Sequence, residues 1–590
     1  MTMSCRTTSV YRTAARVAFA AVAISSLLIF AGCQKPPVPN DAQDACPLDS
    51  ATFSGWFQSG TPSVNGVVNP ADSRNAPAPD CGFYQWSEQM FMWLTSPAPS
   101  TYGGGSHIFD SPAFFDVSPP DASGNRTLLA HTPGLIHAFP LRVAKLGAHR
   151  LPIVIDRAGQ MLEVRPPNPN LKPLVRDPSG KTVEIAHARI ERGRTILLDQ
   201  EGKVIGAQHL AAPVEMTDRK TAAPMIVQKF VVDRIPIFID SALAVIDVEQ
   251  GQAGDDSVLQ AQTTANGSLV YYATMVNDVY AYYLTGAKKG LITTVTPNQF
   301  PTTQTDLDNV VAFAVAHGRP NPPFPDPNAL AVEVKSSWVL ASSLPNLSNY
   351  ITMTATIPTY DQSNPNLWTQ NGQQTVQLAL VGMHVVGSTG SHPEMVWATF
   401  EHTNNAPLAS FSYTANDGTT HNVNQDLSGN WLFAASNFSD TPNQPHMFFN
   451  GPPANTIQPV AGFTISPSDT LRVEPFGVDG NNLFENTEVI SIDNHVLTLM
   501  PGGDVRGNYI MTGATWTPFG SNPGGGNNGV GTNKLANDTM ETYAQGSNCF
   551  SCHQNFSNPP PVNVTNQVSH VFWEGPDMNG NPTGGLQPLF

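Results

Sequence analysis

Proline and glycine interrupt this chain so often that long helices have little room to form. The 590 residues include 52 Pro and 47 Gly, and the apolar runs between them are short. Proline breaks helix interiors and glycine marks turns, so this pattern favours short strands joined by loops. We therefore predict a mainly β protein, with a β-sandwich-like body to which hairpins are added. A chain of this length normally forms more than one core.

Two segments carry periodic patterns that assign them to particular elements. Residues 82–94 (GFYQWSEQMFMWL) place aromatic and Met side chains at helical spacing, which predicts a helix facing the core. Residues 332–338 (VEVKSSW) predict a strand with Glu333 and Lys335 on one face.

A second strand pair is predicted in the centre of the chain. In Val376–His384 and Val396–His402 the even positions are mostly apolar, so each segment predicts a strand with one buried face. His384 and His402 each end on such a face. An even register sum places both histidines on the same face, whereas a slip of one residue places them on opposite faces.

Three similar turns occur between residues 150 and 210. Asp-x-x-Gly lies between β-branched runs at Asp156–Gln160, Asp177–Lys181 and Asp199–Lys203. This spacing is typical of turns that join two strands. We predict a series of two-stranded units attached to the main body.

The N-terminus predicts export. Arg6, Arg12 and Arg16 precede an apolar run, Val17–Phe30, that is too short for a permanent membrane span. Phe30-Ala31-Gly32-Cys33 resembles a bacterial lipobox, which implies cleavage before Cys33 and acylation of that residue. The alternative is a plain secretory signal cleaved nearby, which also predicts export. Gln34 after the cysteine is typical of outer-membrane lipoproteins of Gram-negative bacteria, so we expect a membrane-anchored protein on the periplasmic side.

The net charge excludes one class of partner. The full chain carries −17, and residues 1–32 contain three arginines and no acids, so the mature chain is still more acidic. Nucleic acids and anionic lipid surfaces attract basic proteins. We predict no nucleic-acid partner.

Cys549-Phe550-Ser551-Cys552-His553 has the spacing at which a c-type haem is attached. Each thiol can form a thioether to a haem vinyl group, and the following imidazole can ligate the iron. A structural zinc site would need a second ligand pair, and a thioredoxin-like pair would open a helix in a βαβ unit; the sequence predicts neither. We predict one covalent haem c held by Cys549, Cys552 and His553. Residues 533–545 before the motif predict a short helix ended by Gly546.

The remaining cysteines predict a disulfide. Cys5 lies in the signal, Cys33 is the lipidation candidate, and Cys549 and Cys552 are haem candidates, which leaves Cys46 and Cys81. An oxidising compartment permits them to pair. Two buried free thiols are the alternative.

Several stretches resemble a group of exported bacterial proteins described as cytochrome c family proteins, a family with no agreed activity. They are Gly382–Val386, Val396–His402, Asn405–Pro407 and Thr539–Tyr543. The resemblance covers the central and C-terminal half of the chain. It implies haem and export, and it supplies no substrate.

The sixth ligand of the iron is left open by the sequence. Only 37 residues follow His553 in the 590-residue chain, too few for a self-contained class I cytochrome domain, so we expect the haem segment to dock on the β body near His384 and His402. The candidates for the sixth ligand are His570 and Met578 nearby, with His384, His402, His446 and Met511 in the body. A Met ligand raises the potential and a second His lowers it.

These observations predict one-electron transfer as the leading function, with a redox protein or a small-molecule electron donor or acceptor as partner. One alternative is a haem-dependent oxidase or peroxidase that binds an organic substrate on the β body and uses His384, His402 or Glu401 as acid/base. Another is a haem-containing binding or sensor lipoprotein.

The predicted organisation is a signal peptide (1–32), a tether (33–45), an N-terminal part of the body (46–145), a hairpin region (146–215), a central β-rich domain (216–518), a Gly-rich linker (519–532) and a small α-helical haem c segment (533–590).

Overall fold

A computed structural model describes residues 38–590 with gaps. The gaps are residues 119–124, 138–150, 152, 157–160, 166–167, 169, 192–193, 207–224, 233–234, 247, 250–256, 263–266, 437–441, 451–453, 461, 478–482, 524–528, 533, 547, 554–567, 570, 573–574, 577–581 and 584. The predicted signal, Cys33 and the sixth-ligand candidates His570 and Met578 lie outside the described residues.

The elements are numbered in chain order. The helices are α1 (Ser50–Trp56), α2 (Cys81–Leu94), α3 (Asp278–Lys288), α4 (Gln304–Ala316), α5 (Leu483–Leu499) and α6 (Cys549–Cys552). The strands of the first half are β1 (Phe114–Val117), β2 (Asn125–Arg126), β3 (Leu128–Ala130), β4 (Ile136–His137), β5 (Ile153–Asp156), β6 (Met161–Arg165), β7 (Leu174–Arg176), β8 (Thr182–Glu184), β9 (His187–Glu191), β10 (Arg194–Leu198), β11 (Met225–Val232), β12 (Ile235–Ile239), β13 (Val245–Ile246), β14 (Val248–Glu249) and β15 (Ser257–Val258). Those of the second half are β16 (Tyr271–Asn277), β17 (Val332–Leu340), β18 (Thr352–Asp361), β19 (Trp368–Thr389), β20 (His392–His402), β21 (Phe411–Thr414), β22 (Thr420–Val423), β23 (Met447–Asn450), β24 (Thr456–Pro459), β25 (Tyr509–Trp516), β26 (Val530–Gly531), β27 (Gly575–Pro576), β28 (Pro582–Thr583) and β29 (Gly585–Leu586).

A 13-stranded sheet forms the centre of the protein. Its middle strands run in the order β16-β17-β19-β20-β25, and every neighbouring pair is antiparallel. Strand β19 is 22 residues long. Its first part pairs with β18 and β24, and its second part pairs with β17 and β20. The prediction of a mainly β protein is confirmed.

One face of this sheet is covered by helices α2 and α5. Phe91 of α2 stacks on Phe400 of β20, with ring centroids 4.2 Å apart, and Val489 and Ile492 of α5 join the same buried cluster. The predicted core-facing helix at 82–94 is confirmed as α2. We call this side of the sheet the α2/α5 face.

The disulfide prediction is confirmed. Cys46 and Cys81 are bonded, with Cα atoms 5.2 Å apart, and this link ties the chain before α1 to the first residue of α2. The two sulfurs and a carboxylate oxygen of Glu488 lie close enough together to suggest a metal site, but sulfurs joined in a disulfide provide no thiolate ligands.

The hairpin region is built as predicted from two-stranded units, and it forms separate sheets. β7 pairs with β8, β9 with β10, and β5 with β6, all antiparallel. The six-stranded sheet β13-β12-β11-β6-β5-β14 takes the region on to Glu249, beyond the predicted boundary at 215.

Three turns in the described part of this region share one hydrogen-bonding arrangement, while residues 157–160 of the predicted turn after Asp156 lie outside the described residues. Oδ1 of Asp177, Asp199 and Asp240 each accepts the backbone N–H groups two and four residues later at 2.8–3.0 Å. The sequence missed the turn at Asp240 because Leu243, at φ 64°, occupies the position that glycine takes in the others.

The prediction of a short helix at residues 533–545, before Cys549, is wrong. The described residues between 534 and 546 form turns and no helix. Asn537 Oδ1 accepts the backbone N–H of Thr539 at 3.0 Å and its hydroxyl at 2.7 Å. Such local bonds compete with the helical pattern, and here the polar side chains bind the sheet instead.

Candidate functional site

The C-terminal segment lies on the sheet face opposite α2 and α5, which we call the docking face. Because side chains alternate along strands, the antiparallel register arranges this face in rows that run across β16, β17, β19 and β20. The three rows are Val276, Glu333, Val386 and Trp397; Thr274, Lys335, His384 and Thr399; and Tyr272, Ser337, Gly382 and Glu401.

The residues before Cys549 cover parts of the second and third rows. Asn537 donates its side-chain N–H to Thr399 Oγ1 at 2.9 Å, and Tyr272 donates its hydroxyl to the Thr539 carbonyl at 2.7 Å. A Cβ atom on Gly382 would lie 2.6 Å from Thr539 Oγ1 and 2.7 Å from Asn537 Oδ1. Glycine is needed here because any side chain would push this segment off the sheet.

The Cys549–His553 motif packs against the first row. Helix α6 is one turn, and the His553 N–H donates to the Cys549 carbonyl at 2.8 Å. Phe550 is buried in a cluster that includes Val386, Trp397 and Phe572, and Cys549 packs at its edge. The turn therefore sets Cys549 and His553 on one side of the helix, while Phe550 anchors it.

His553 is held at two points. Its ring lies on Trp397, with centroids 4.1 Å apart, and Nδ1 donates to the Val568 carbonyl at 2.9 Å. A carbonyl can only accept, so this bond assigns a proton to Nδ1; in the neutral imidazole the lone pair is then on Nε2. Only 5% of the residue is exposed.

These contacts suit a histidine that would hold a metal. A metal-ligating histidine characteristically donates its second ring N–H to a carbonyl or carboxylate, which fixes the tautomer and the orientation of the ring. Cys549 and His553 lie on one turn beside a buried apolar cluster, and such surroundings also suit a largely apolar macrocycle.

A buried polar chain lies one residue beyond Val568. Ser569 donates its hydroxyl to Glu333 Oε2 at 2.6 Å, and the Tyr280 hydroxyl lies 2.8 Å from Ser569 Oγ. Lys335 Nζ is 3.3 Å from Glu333 Oε1. The sequence placed Glu333 and Lys335 on one face correctly, but it gave no sign that Ser569 would meet them across 236 residues.

His384 and His402 lie on opposite faces of the sheet. Residue pairing joins His384 to Thr399 and Gly382 to Glu401, so His384 is on the docking face and His402 is not. His384 Nε2 lies 3.1 Å from Glu541 Oε2, and the two side chains are 15% and 11% exposed.

His402 has a structural environment. Its ring stacks on Tyr350 with centroids 3.9 Å apart, and Nε2 lies 3.2 Å from the Asn349 carbonyl. Burial lowers the pKa of His402 to about 4, so it is neutral at physiological pH.

Glu401, the third acid/base candidate, is fully engaged. Its Oε2 accepts from Arg472, and its Oε1 accepts the Asp538 N–H at 2.8 Å. Arg472 also pairs with Asp538 at 3.1 Å. Burial raises the pKa of Asp538 well above its usual range, an effect that Arg472 opposes and Glu401 reinforces. The arrangement favours a structural ion pair over proton transfer.

The other body candidates for the sixth ligand lie elsewhere. Met511 belongs to the buried cluster of the α2/α5 face. His446 stacks on Phe463 with centroids 4.3 Å apart. Among the candidates that the structure describes, His384 is the one that strand register places on the docking face.

Comparisons of the sequence with family models and curated proteins, and of the structure with solved structures, find no match. In the described part of the chain, no helix has the length and apolar character needed to cross a membrane.

Proposed function

We propose that this protein is an exported monohaem c-type cytochrome that transfers single electrons. The observation that carries the proposal is the fixed imidazole of His553 directly after the two cysteines, with Nδ1 bound to the Val568 carbonyl. Cys549 and Cys552 would hold the haem by thioethers, and His553 would ligate the iron. The haem would supply a centre that cycles between Fe(III) and Fe(II).

The chain's own residues orient and shield this centre. Trp397 supports the His553 ring, and Phe550 anchors α6 in an apolar cluster that excludes water. Low exposure limits solvent reorganisation around the ligand and tunes the potential. The electron partner is a redox protein or a small-molecule donor or acceptor.

Replacing both haem cysteines tests the proposal. In cells that mature c-type cytochromes, Cys549→Ala with Cys552→Ala should abolish haem staining after denaturing electrophoresis. The matched control, Cys46→Ala with Cys81→Ala, removes two cysteines distant from the motif and should still stain. Staining that persists in the first double variant would refute covalent attachment through this motif.

Export and anchoring at the outer membrane form the second part of the proposal. The support is the sequence Phe30-Ala31-Gly32-Cys33 after an apolar run. Cys33→Ser should release the protein from membranes and abolish incorporation of labelled fatty acid. Unchanged partitioning and labelling would reject the lipid anchor and leave the haem proposal intact.

The principal alternative is a haem-dependent oxidase or peroxidase. The observation that favours it is the His384–Glu541 pair on the docking face, which is less completely buried than its neighbours. Carbon monoxide separates the two: spectra that it does not change support electron transfer, and a high-spin iron that binds it supports catalysis.

A further inference from the structure

Ser569 follows Val568, whose carbonyl accepts the Nδ1–H of His553. The Ser569 hydroxyl donates to Glu333 at 2.6 Å, so the Tyr280 hydroxyl, 2.8 Å away, must donate to Ser569. Burial, with the nearby charge of Glu333, raises the pKa of Tyr280 well above its usual value, so Tyr280 keeps the proton that it donates. The chain of donors runs from Tyr280 through Ser569 to Glu333.

All three groups are inaccessible to water. Tyr280 and Glu333 are 0% exposed and Ser569 is 1% exposed. Lys335, at 3.3 Å, balances the Glu333 charge. A buried carboxylate left without donors is costly, so the Ser569 hydroxyl cannot leave this position without a penalty.

The chain of donors adjoins the carbonyl that accepts from His553. Val568, whose carbonyl accepts from His553, is bonded directly to Ser569 in sequence. Glu333 and Trp397 stand in the same row of the docking face with Val386 between them. The C-terminal segment therefore contacts this row at two points: His553 packs on Trp397, and Ser569 donates to Glu333.

We propose that Glu333, Ser569 and Tyr280 are positioning residues that fix the Val568 carbonyl and thereby the orientation and basicity of the His553 imidazole. The inference rests on the proposed haem function and adds which residues of the β body control the ligand. Outer-shell partners of this kind set the tautomer, the affinity for the metal and the potential.

The test uses the full-length, haem-loaded protein with Ser569→Ala and Glu333→Gln. Low pH protonates His553 and releases it from the iron, which changes the absorption spectrum. Both variants should keep covalent haem but release His553 at a pH higher by about one unit, since loss of an outer-shell partner typically costs at least tenfold in ligand affinity. Glu333→Gln should also raise the reduction potential, because it removes a negative charge near the ligand.

Three matched variants separate positioning from general damage. Ser569→Thr keeps the hydroxyl and should titrate like the wild type. Ser468→Ala removes another buried hydroxyl, which lies 3.0 Å from the Tyr543 hydroxyl, and Glu88→Gln changes a buried carboxyl in α2. Neither should shift the titration.

A wild-type midpoint for His553 release in Ser569→Ala would overturn the inference. This variant decides the matter if Glu333→Gln fails to fold. If the wild-type protein carries no covalent haem, the proposed function itself is refuted. The two failures are distinguished by haem staining.

Discussion

The α2/α5 face and the docking face belong to the same strands but bury different chemistry. On β20, Val396, Ala398 and Phe400 point into an apolar cluster, whereas Trp397 and Glu401 lie on the docking face. On β17, Val334 and Trp338 lie in the first cluster, and Glu333 and Lys335 on the other side.

The difference separates what stabilises the fold from what orients the site. Apolar burial is non-directional and contributes in proportion to area. Buried hydrogen bonds and ion pairs contribute less net stability but permit few arrangements. The docking face therefore determines where the C-terminal segment lies, and the α2/α5 face supplies the rigid base.

The largest effect is expected where the docking face buries charge. Arg472→Met leaves Glu401 buried without its cation and should lower the free energy of unfolding by about 5 kcal/mol, the upper part of the range for a broken buried pair. Chemical denaturation measures it. The control Arg74→Met removes an exposed partner of Asp72 and should cost below about 1 kcal/mol. Equal losses of unfolding free energy in Arg472→Met and Arg74→Met would show that the ion pairs of the docking face contribute no more than exposed ones.

The second-largest loss of stability is expected on the α2/α5 face. Phe400→Ala removes a ring that is 1% exposed and stacks on Phe91, and should cost about 4 kcal/mol. The haem spectrum of the folded variant should not change. Phe519→Ala, at 96% exposure, is the control and should stay within about 0.5 kcal/mol of the wild type. A spectral change in Phe400→Ala would break the separation between the two faces.

A third test of how buried charge affects stability uses a cluster near β1. His131 lies 3.0 Å from both Asp110 and Asp116. Burial lowers its pKa, but the hydrogen bonds and charges of the two carboxylates outweigh burial and raise the pKa of His131 to about 9.

Because the folded pKa of His131 exceeds its ordinary value of 6.5, its contribution is complete below pH 6.5 and is lost as pH rises through about 9. The full shift corresponds to about 3 kcal/mol. Unfolding measured from pH 6 to pH 10 should show the loss in the wild type and a much smaller one in His131→Gln. Identical slopes would contradict this assignment.

The smallest effect is spectroscopic and distinguishes the two histidines of the β19–β20 hairpin. His384→Ala should alter the haem spectrum or potential because His384 shares the docking face with His553. His402→Ala should lower stability by about 1–2 kcal/mol through lost packing and leave the spectrum unchanged. His421→Ala, whose side chain is 41% exposed, is the control. A spectral response to His402→Ala alone would reverse the assignment of faces.

Local patterns predicted the elements well and their partners poorly. The helical stripe of α2 and the alternation in β17, β19 and β20 follow from periodicities that neighbouring residues impose. Register does not, because a slip of one residue preserves the pattern and exchanges the faces. The sequence therefore left the relation of His384 to His402 open, and the observed pairing settled it.

The missed helix before the haem motif has the same origin. Residues 534–546 contain acceptable helix formers, but Asn537 and Thr539 bond to β20 and β17. Tertiary contacts outweigh weak local preference.

The sequence by itself determined the mainly β class and the place of the motif at Cys549–His553, because composition and spacing are properties of the chain. It made Cys46 and Cys81 the candidates for a disulfide, and the structure shows that they are bonded. Only the tertiary structure decided which groups surround His553. Val568 and Trp397 contact His553, and Glu333 and Tyr280 contact Ser569, the residue after Val568. Such contacts depend on strand register and on the burial of polar groups that must find partners.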